Sequence, residues 1–266
     1  MAKAFFTRRR RWIIGSFSGV ALALACGISS AQAQATSSSV PPATPTDAQL
    51  AGTRCVIGME KFLPADYYYC LAAQTYGEHD DAEAQRFFHT AASWASKPAE
   101  YVLGVMALNG DHQPVDRPLA LAWLTLAAER HTARFAEAAD ALRGHLSPRD
   151  RRESDILLHG LEPEYADATA AKRAEARYRD GMQMLRSPST GSNYCMAGMA
   201  DISDLGGGTM SPEQAMHCPP TVIVVQQIDK KAADVFEGWR GHVTVEPLQQ
   251  VQTKDGRPLP PKAAGS

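Results

Sequence analysis

Four cysteines, Cys55, Cys70, Cys195 and Cys218, together with the neighbour His217, are the residues of this 266-residue chain best suited to covalent, redox or metal chemistry. A structural zinc site needs four ligands in paired short spacings, and His217-Cys218 is one such pair without a second. An even set of cysteines suits disulfides if the chain reaches an oxidising compartment. Three connectivities are possible. The local one, Cys55–Cys70 with Cys195–Cys218, is favoured because it ties down segments with no other obvious tether, each bond contributing about 3 kcal/mol. Gly206-Gly207-Gly208 precedes Ser211-Pro212-Glu213, a helix-start signature that could hold an anion, but a plain turn is the expected reading. The acidic residues Asp80-Asp81 and Glu162/Glu164 read as caps and solvated faces. The chain contains no H-E-x-x-H, G-x-S-x-G, Walker or S-x-x-K motif. No catalytic residue, metal or cofactor is expected.

The elements that must position these residues are announced by a pattern written twice, 36 residues apart. Asp80, Ala84, Phe87, Ala91 and Ala92 recur as Asp116, Ala120, Trp123, Ala127 and Ala128. The steps of four, three, four and one place the alanines and the ring on one helical face. A period in this range marks a stacked-repeat protein. The first helix pair is expected over residues 66–95, broken at Gly77 and capped again at Asp80 with Glu83. The second starts after Pro98, breaks at Asn109-Gly110 and resumes at Asp116, with Pro118 in the first turn. Further helices are expected over residues 131–145, from Ser147-Pro148 to Gly160 as a degenerate third repeat, and from Pro163 through Leu185. Beyond Ser187 the character changes. The run Thr221-Val-Ile-Val-Val225 reads as a buried strand, His242–Val245 as a shorter one, and residues 229–239 as a short helix.

The first 35 residues hold Lys3 and Arg8–Arg11, an apolar stretch from Trp12 to Ala25, and small residues ending at Ala35. That order is a secretory signal peptide, the apolar stretch being shorter than the roughly 20 residues that span a bilayer. Cys26 is a weaker alternative, a lipid-acceptor cysteine. Removing this segment takes the net charge from −2 to −7, since it carries five basic residues and no acidic one. With no basic stripe, nucleic acid is an unsuitable partner. The expected organisation is a signal peptide at 1–35, a disordered linker at 36–49, a repeat region at 50–162, a capping helix at 163–187, a small disulfide-containing module at 188–252 and a disordered tail at 253–266.

The second unit, with Ala99, Leu103-Gly104, Gly110, Asp116, Ala120, Trp123 and Ala127-Ala128-Glu129, resembles the Sel-one-like repeat family, relatives of the tetratricopeptide repeats. The resemblance covers about 100 residues and leaves the C-terminal part aside. It implies a mainly α fold, a tetratricopeptide-like right-handed α-solenoid of antiparallel helix pairs, here followed by a small mixed α/β module. It also implies a scaffold that binds a protein or peptide through the concave face lined by the first helix of each pair. There Tyr67, Tyr68, Tyr69 and Tyr101 offer rings of the kind enriched at binding hot spots, whereas Phe87, Leu103 and Trp123 are expected to be packing residues. The leading expectation is therefore a non-catalytic periplasmic or secreted adaptor. The alternatives are a cell-wall or β-lactam hydrolase, against which the missing nucleophile and metal motifs count, and a structural subunit of an envelope assembly.

Overall fold

The computed structural model of the chain describes residues 44–199 and 211–239, and within them it is mainly helical, with no β-strand. The expected signal peptide, Cys26, Gly206–Gly208, the strand at His242–Val245 and the tail at 253–266 lie outside the described residues. A short helix α1 (Asp47–Ala51) is capped by Thr46, whose side chain and that of Gln49 bond each other's backbone N–H. It begins inside the stretch expected to be a linker. Two antiparallel pairs follow in the chain: α2 (Pro64–Gly77) packs on α3 (Asp81–Ser93), and α4 (Lys97–Asn109) packs on α5 (Arg117–Ala127). Asp80 accepts a hydrogen bond from the Glu83 N–H and Asp116 one from the Leu119 N–H, so both repeat aspartates cap a helix start. Glu83 turns its carboxylate to Arg86 rather than back to the cap.

The α4–α5 contact is close because of Gly104. A Cβ there would lie 2.8 Å from Leu124 Cγ and 3.2 Å from the Ala120 carbonyl oxygen. Helix α4 stops at Gly110, whose φ of 71° is the left-handed conformation that ends a helix and that glycine adopts without steric cost. Trp123 is 2% exposed among Phe88, Leu103, Met106, Leu126 and the alanines of α3 and α4. Its counterpart in the first pair is displaced by one residue. Phe88 is buried, whereas Phe87 is half-buried and stacks on Tyr68 with ring centroids 6.2 Å apart.

Helix α6 (Ala133–His145) packs on α5, and α7 (Pro148–Tyr165) packs on α5 as well. Helix α7 does not end at Gly160, and Pro163 starts nothing. The proline sits in the last turn of α7, where few residues remain to be disturbed, and the chain breaks instead at residues 166–169 before α8 (Ala170–Leu185). A six-residue helix, α9 (Pro212–His217), precedes α10 (Thr221–Val235).

Helix α10 corrects one strand of the expected mixed α/β module. Thr221–Val225 is its opening turn and not a strand, and the helix expected over 229–239 is its second half, ending at Val235. A short apolar run cannot separate strand from buried helix by periodicity alone. What decides is the spacing of Val224, Ile228 and Ala232, all at most 1% exposed, which present one helical stripe to Met59, Phe62, Leu63, Met182 and Leu185. Helix α8 reaches the same cluster closely, since a Cβ on Gly181 would come within 2.7 Å of both the Lys61 carbonyl oxygen and the Phe62 ring. Disulfides join Cys55 to Cys70 and Cys195 to Cys218. No helix among the described residues is long and apolar enough to cross a membrane.

Candidate partner-binding face

The disulfide of Cys218 removes its sulfur from thiolate chemistry and metal ligation, and His217, exposed at the end of α9, bonds the Glu213 carbonyl oxygen through Nδ1 at 2.9 Å. A cavity of about 470 Å³ borders them with Asn193, Glu213 and Gln214, and three more lie along α2, α4 and α6. Each of these helices turns residues spaced three and then four apart toward cavities: Asp66, Tyr69 and Ala73 on α2; Pro98, Tyr101 and Val105, with Leu108 three further on, on α4; Phe135, Ala138 and Leu142, with His145 three further on, on α6. Such spacing keeps side chains on one side of a helix.

The largest of these cavities, about 490 Å³, lies between α4, α5 and α6. Val105, Leu108, Leu124, Leu142 and Leu146 form its apolar lining with the Tyr101 ring, and Arg117 and His145 join them among the described residues. Tyr101 is half-buried. Its ring lies 5.1 Å from that of Phe135, and the Arg134 guanidinium sits 5.0 Å above its centroid. Leu103, two residues on, is 2% exposed and points into the core. A rotation of about 200° between such residues puts them on opposite sides of the helix.

Phe135 also borders a second cavity of about 380 Å³, shared with Tyr69, Pro98, Lys97, Arg130 and the end of α10. A third, about 390 Å³, takes in Tyr67, Tyr69, Cys70 and Lys231. Of the expected contact residues the structure therefore sets Tyr67, Tyr69 and Tyr101 along cavities, while Tyr68 faces α3. The hydroxyls of Tyr67 and Tyr69 are held above the ordinary tyrosine range, chiefly by burial.

Sequence reasoning passed over a buried charge cluster at the edge of the second cavity. Lys97 is 4% exposed and Glu100 fully buried, at the start of α4. Lys97 Nζ donates to Glu100 Oε2 at 3.0 Å, Glu129 Oε2 at 2.6 Å and the Leu126 carbonyl oxygen at 3.0 Å, and lies 3.1 Å from Asp167 Oδ1. Arg130 clamps the same Asp167 through Nε at 2.8 Å and a second nitrogen at 2.9 Å. It also donates to the Val235 carbonyl oxygen at the end of α10.

Three carboxylates thus share two cations. Burial pushes the Glu100 carboxyl up to about 8, the Lys97 ammonium opposing and the neighbouring Glu129 and Asp167 reinforcing. Burial alone would lower the Lys97 ammonium, but the three carboxylates outweigh it and hold it above its usual value. Asp167 is lowered against burial by Arg130 and Lys97. The signal for the cluster was the pair Lys97 and Glu100 at i,i+3 on the face of a helix otherwise made of Ala, Leu, Val and Met, a place where charges persist only when paired.

The chain matches no protein-family model, and neither a curated protein nor a solved structure is significantly similar to it.

Proposed function

We propose that this protein is an exported, non-catalytic adaptor of the Sel-one-like repeat type, and that it holds a protein or peptide partner along the face made by α2, α4 and α6. The observation that carries this reading is the recurrence of one spacing on three helices, each turning partly exposed aromatic or aliphatic side chains toward adjoining cavities. Grooves between helices recognise partners through such anchors at i, i+3 and i+7, and half-buried tyrosines supply large contact area with few rotamers to freeze. Two disulfides suit a periplasmic or secreted setting, as does the signal-like first segment.

The test places a photo-crosslinking side chain at Val105 on α4 or, as a control, at Ile156 on α7, which is 73% exposed. Crosslinking is done in the native envelope. A defined partner captured from Val105 and not from Ile156 supports the reading. Capture from Ile156 alone, or hydrolytic turnover that copurifies with the protein through successive columns, removes it.

A further inference from the structure

We propose that the cavity between α4, α5 and α6 takes a short peptide segment in which apolar side chains are flanked by carboxylates. This rests on the adaptor reading and names the chemistry of its partner.

The lining divides by position. Its middle is aliphatic, made by Val105, Leu108, Leu124 and Leu142. An arginine stands toward each end. At one end stand Arg117, the first residue of α5, and His145, the last of α6. Past the other end stands Arg134, held over the Tyr101 ring. Among the described residues no aspartate or glutamate lines the cavity, and none of these three side chains forms an ion pair with a carboxylate. The contrast with the neighbouring cavity is sharp, because there Lys97 and Arg130 are saturated by Glu100, Glu129 and Asp167, and Asp66, Asp234 and Glu237 join the lining. In a chain of net negative charge, an apolar trough with an arginine toward either end, neither of them ion-paired among the described residues, is complementary to an acidic, apolar-centred ligand.

The distances suit a peptide. From Tyr101 to Leu108, α4 rises about 10 Å, which equals two turns of a bound helix or about three extended residues. The volume, about 490 Å³, lies within the range of ligand pockets. The chain's own segment after Trp239 is a poor match, since it carries Arg240, Lys254, Arg257 and Lys262 against Glu246 and Asp255.

The probe is the fluorescein-labelled peptide Glu-Asp-Leu-Leu-Ala-Leu-Leu-Asp-Glu, titrated with purified protein at low salt and read by anisotropy. Companion peptides replace the acids with Gln and Asn, or with Lys. The acidic peptide is expected to bind about five- to tenfold tighter than the neutral one, as one or two exposed ion pairs allow, with the difference shrinking in 0.5 M salt as screening requires. Leu108→Asp should weaken it at least about tenfold through loss of apolar contact. Arg117→Glu should weaken the acidic peptide and strengthen the lysine-flanked one, a charge swap that a misfolded variant cannot give. Equal binding of the neutral and acidic peptides, unaffected by Arg117→Glu, would overturn the proposed chemistry while leaving the adaptor reading to its own crosslinking test. So would no binding by any peptide. A dimer in sedimentation that Leu108→Asp disperses would make a second copy the occupant and overturn the proposal, as would a crosslink in the free protein from Val105 to a residue after Trp239.

Discussion

Lys97 and Glu100 show how one buried proton can set the response of a protein to pH. The folded state holds the Glu100 proton more tightly than the unfolded chain does, since the carboxyl is pushed from 4.5 to about 8. Its contribution to stability is complete below the ordinary glutamate range and is lost as pH rises through that interval toward 8. Asp167 works in the opposite sense and contributes above the usual carboxylate range, losing its part as pH falls. The melting temperature should therefore decline from about pH 5 to pH 8, and Glu100→Gln should flatten most of that decline; an unchanged slope in the variant would show that Glu100 is ionised throughout. Lys97→Met leaves the fully buried Glu100 without its cation, Asp167 keeping Arg130 and Glu129 reaching solvent, and should cost about 3–5 kcal/mol in chemical denaturation. A double variant, Lys97→Met with Glu100→Leu, should recover part of that loss, because an apolar pair of similar volume needs no desolvation to be offset.

Among the elements, the α4–α5 pair carries the tightest geometric demand. Gly104→Ala would drive a Cβ against the branch carbon of Leu124 and the α5 backbone, so the variant should lose about 1–3 kcal/mol by overpacking. Trp123→Ala empties a site bounded by both helix pairs and should cost about 3–5 kcal/mol. Tyr101→Ala tests the other side of α4. The ring touches Phe135 and Arg134 rather than the core, so its removal should cost about 1 kcal/mol, the worth of an aromatic pair, and weaken partner capture by more than it weakens the fold. A loss equal to that of Trp123→Ala would move Tyr101 from the partner face into the core.

At the scale of the whole molecule, the C-terminal helix belongs to the same fold as the segment before α2. Ile228 of α10 is fully buried against Met59, Phe62 and Leu63 in one apolar cluster, Lys231 pairs with Asp66 of α2 at 3.0 Å, and Arg130 bonds the end of α10. Ile228→Ala should thus lower the denaturation midpoint of the entire chain, by about 2–5 kcal/mol, in one transition seen alike by far-ultraviolet dichroism and tryptophan fluorescence. Two separated transitions would divide α10 from the rest. Reduction of Cys55–Cys70, which closes a loop of separation 15 next to that cluster, should cost about 3 kcal/mol.

The amino-acid sequence by itself determined most of the local structure. The spacing of Asp80, Ala84, Ala91 and of Asp116, Ala120, Ala127 required helices with those caps, because caps and helical faces are set by residues within four positions of each other. Glycine placed the break at Gly110 for the same local reason, whereas Gly77 closes α2 as a helical residue packed against α1 and the left-handed turn falls at His79. The local cysteine pairs were also within reach, since short separations close cheaply. Four matters were left to the tertiary structure. Thr221–Val225 became helix because Met59, Phe62 and Leu63 offer α10 a stripe to cover, and β-branched residues yield to such packing. Pro163 stayed inside α7 because it falls in that helix's final turn, leaving the break to residues 166–169. Phe88 took the core position that the repeat spacing assigns to Phe87. The cluster of Lys97, Glu100, Glu129, Arg130 and Asp167 joins residues up to 70 positions apart, and which buried charges find partners is a property of the folded chain alone.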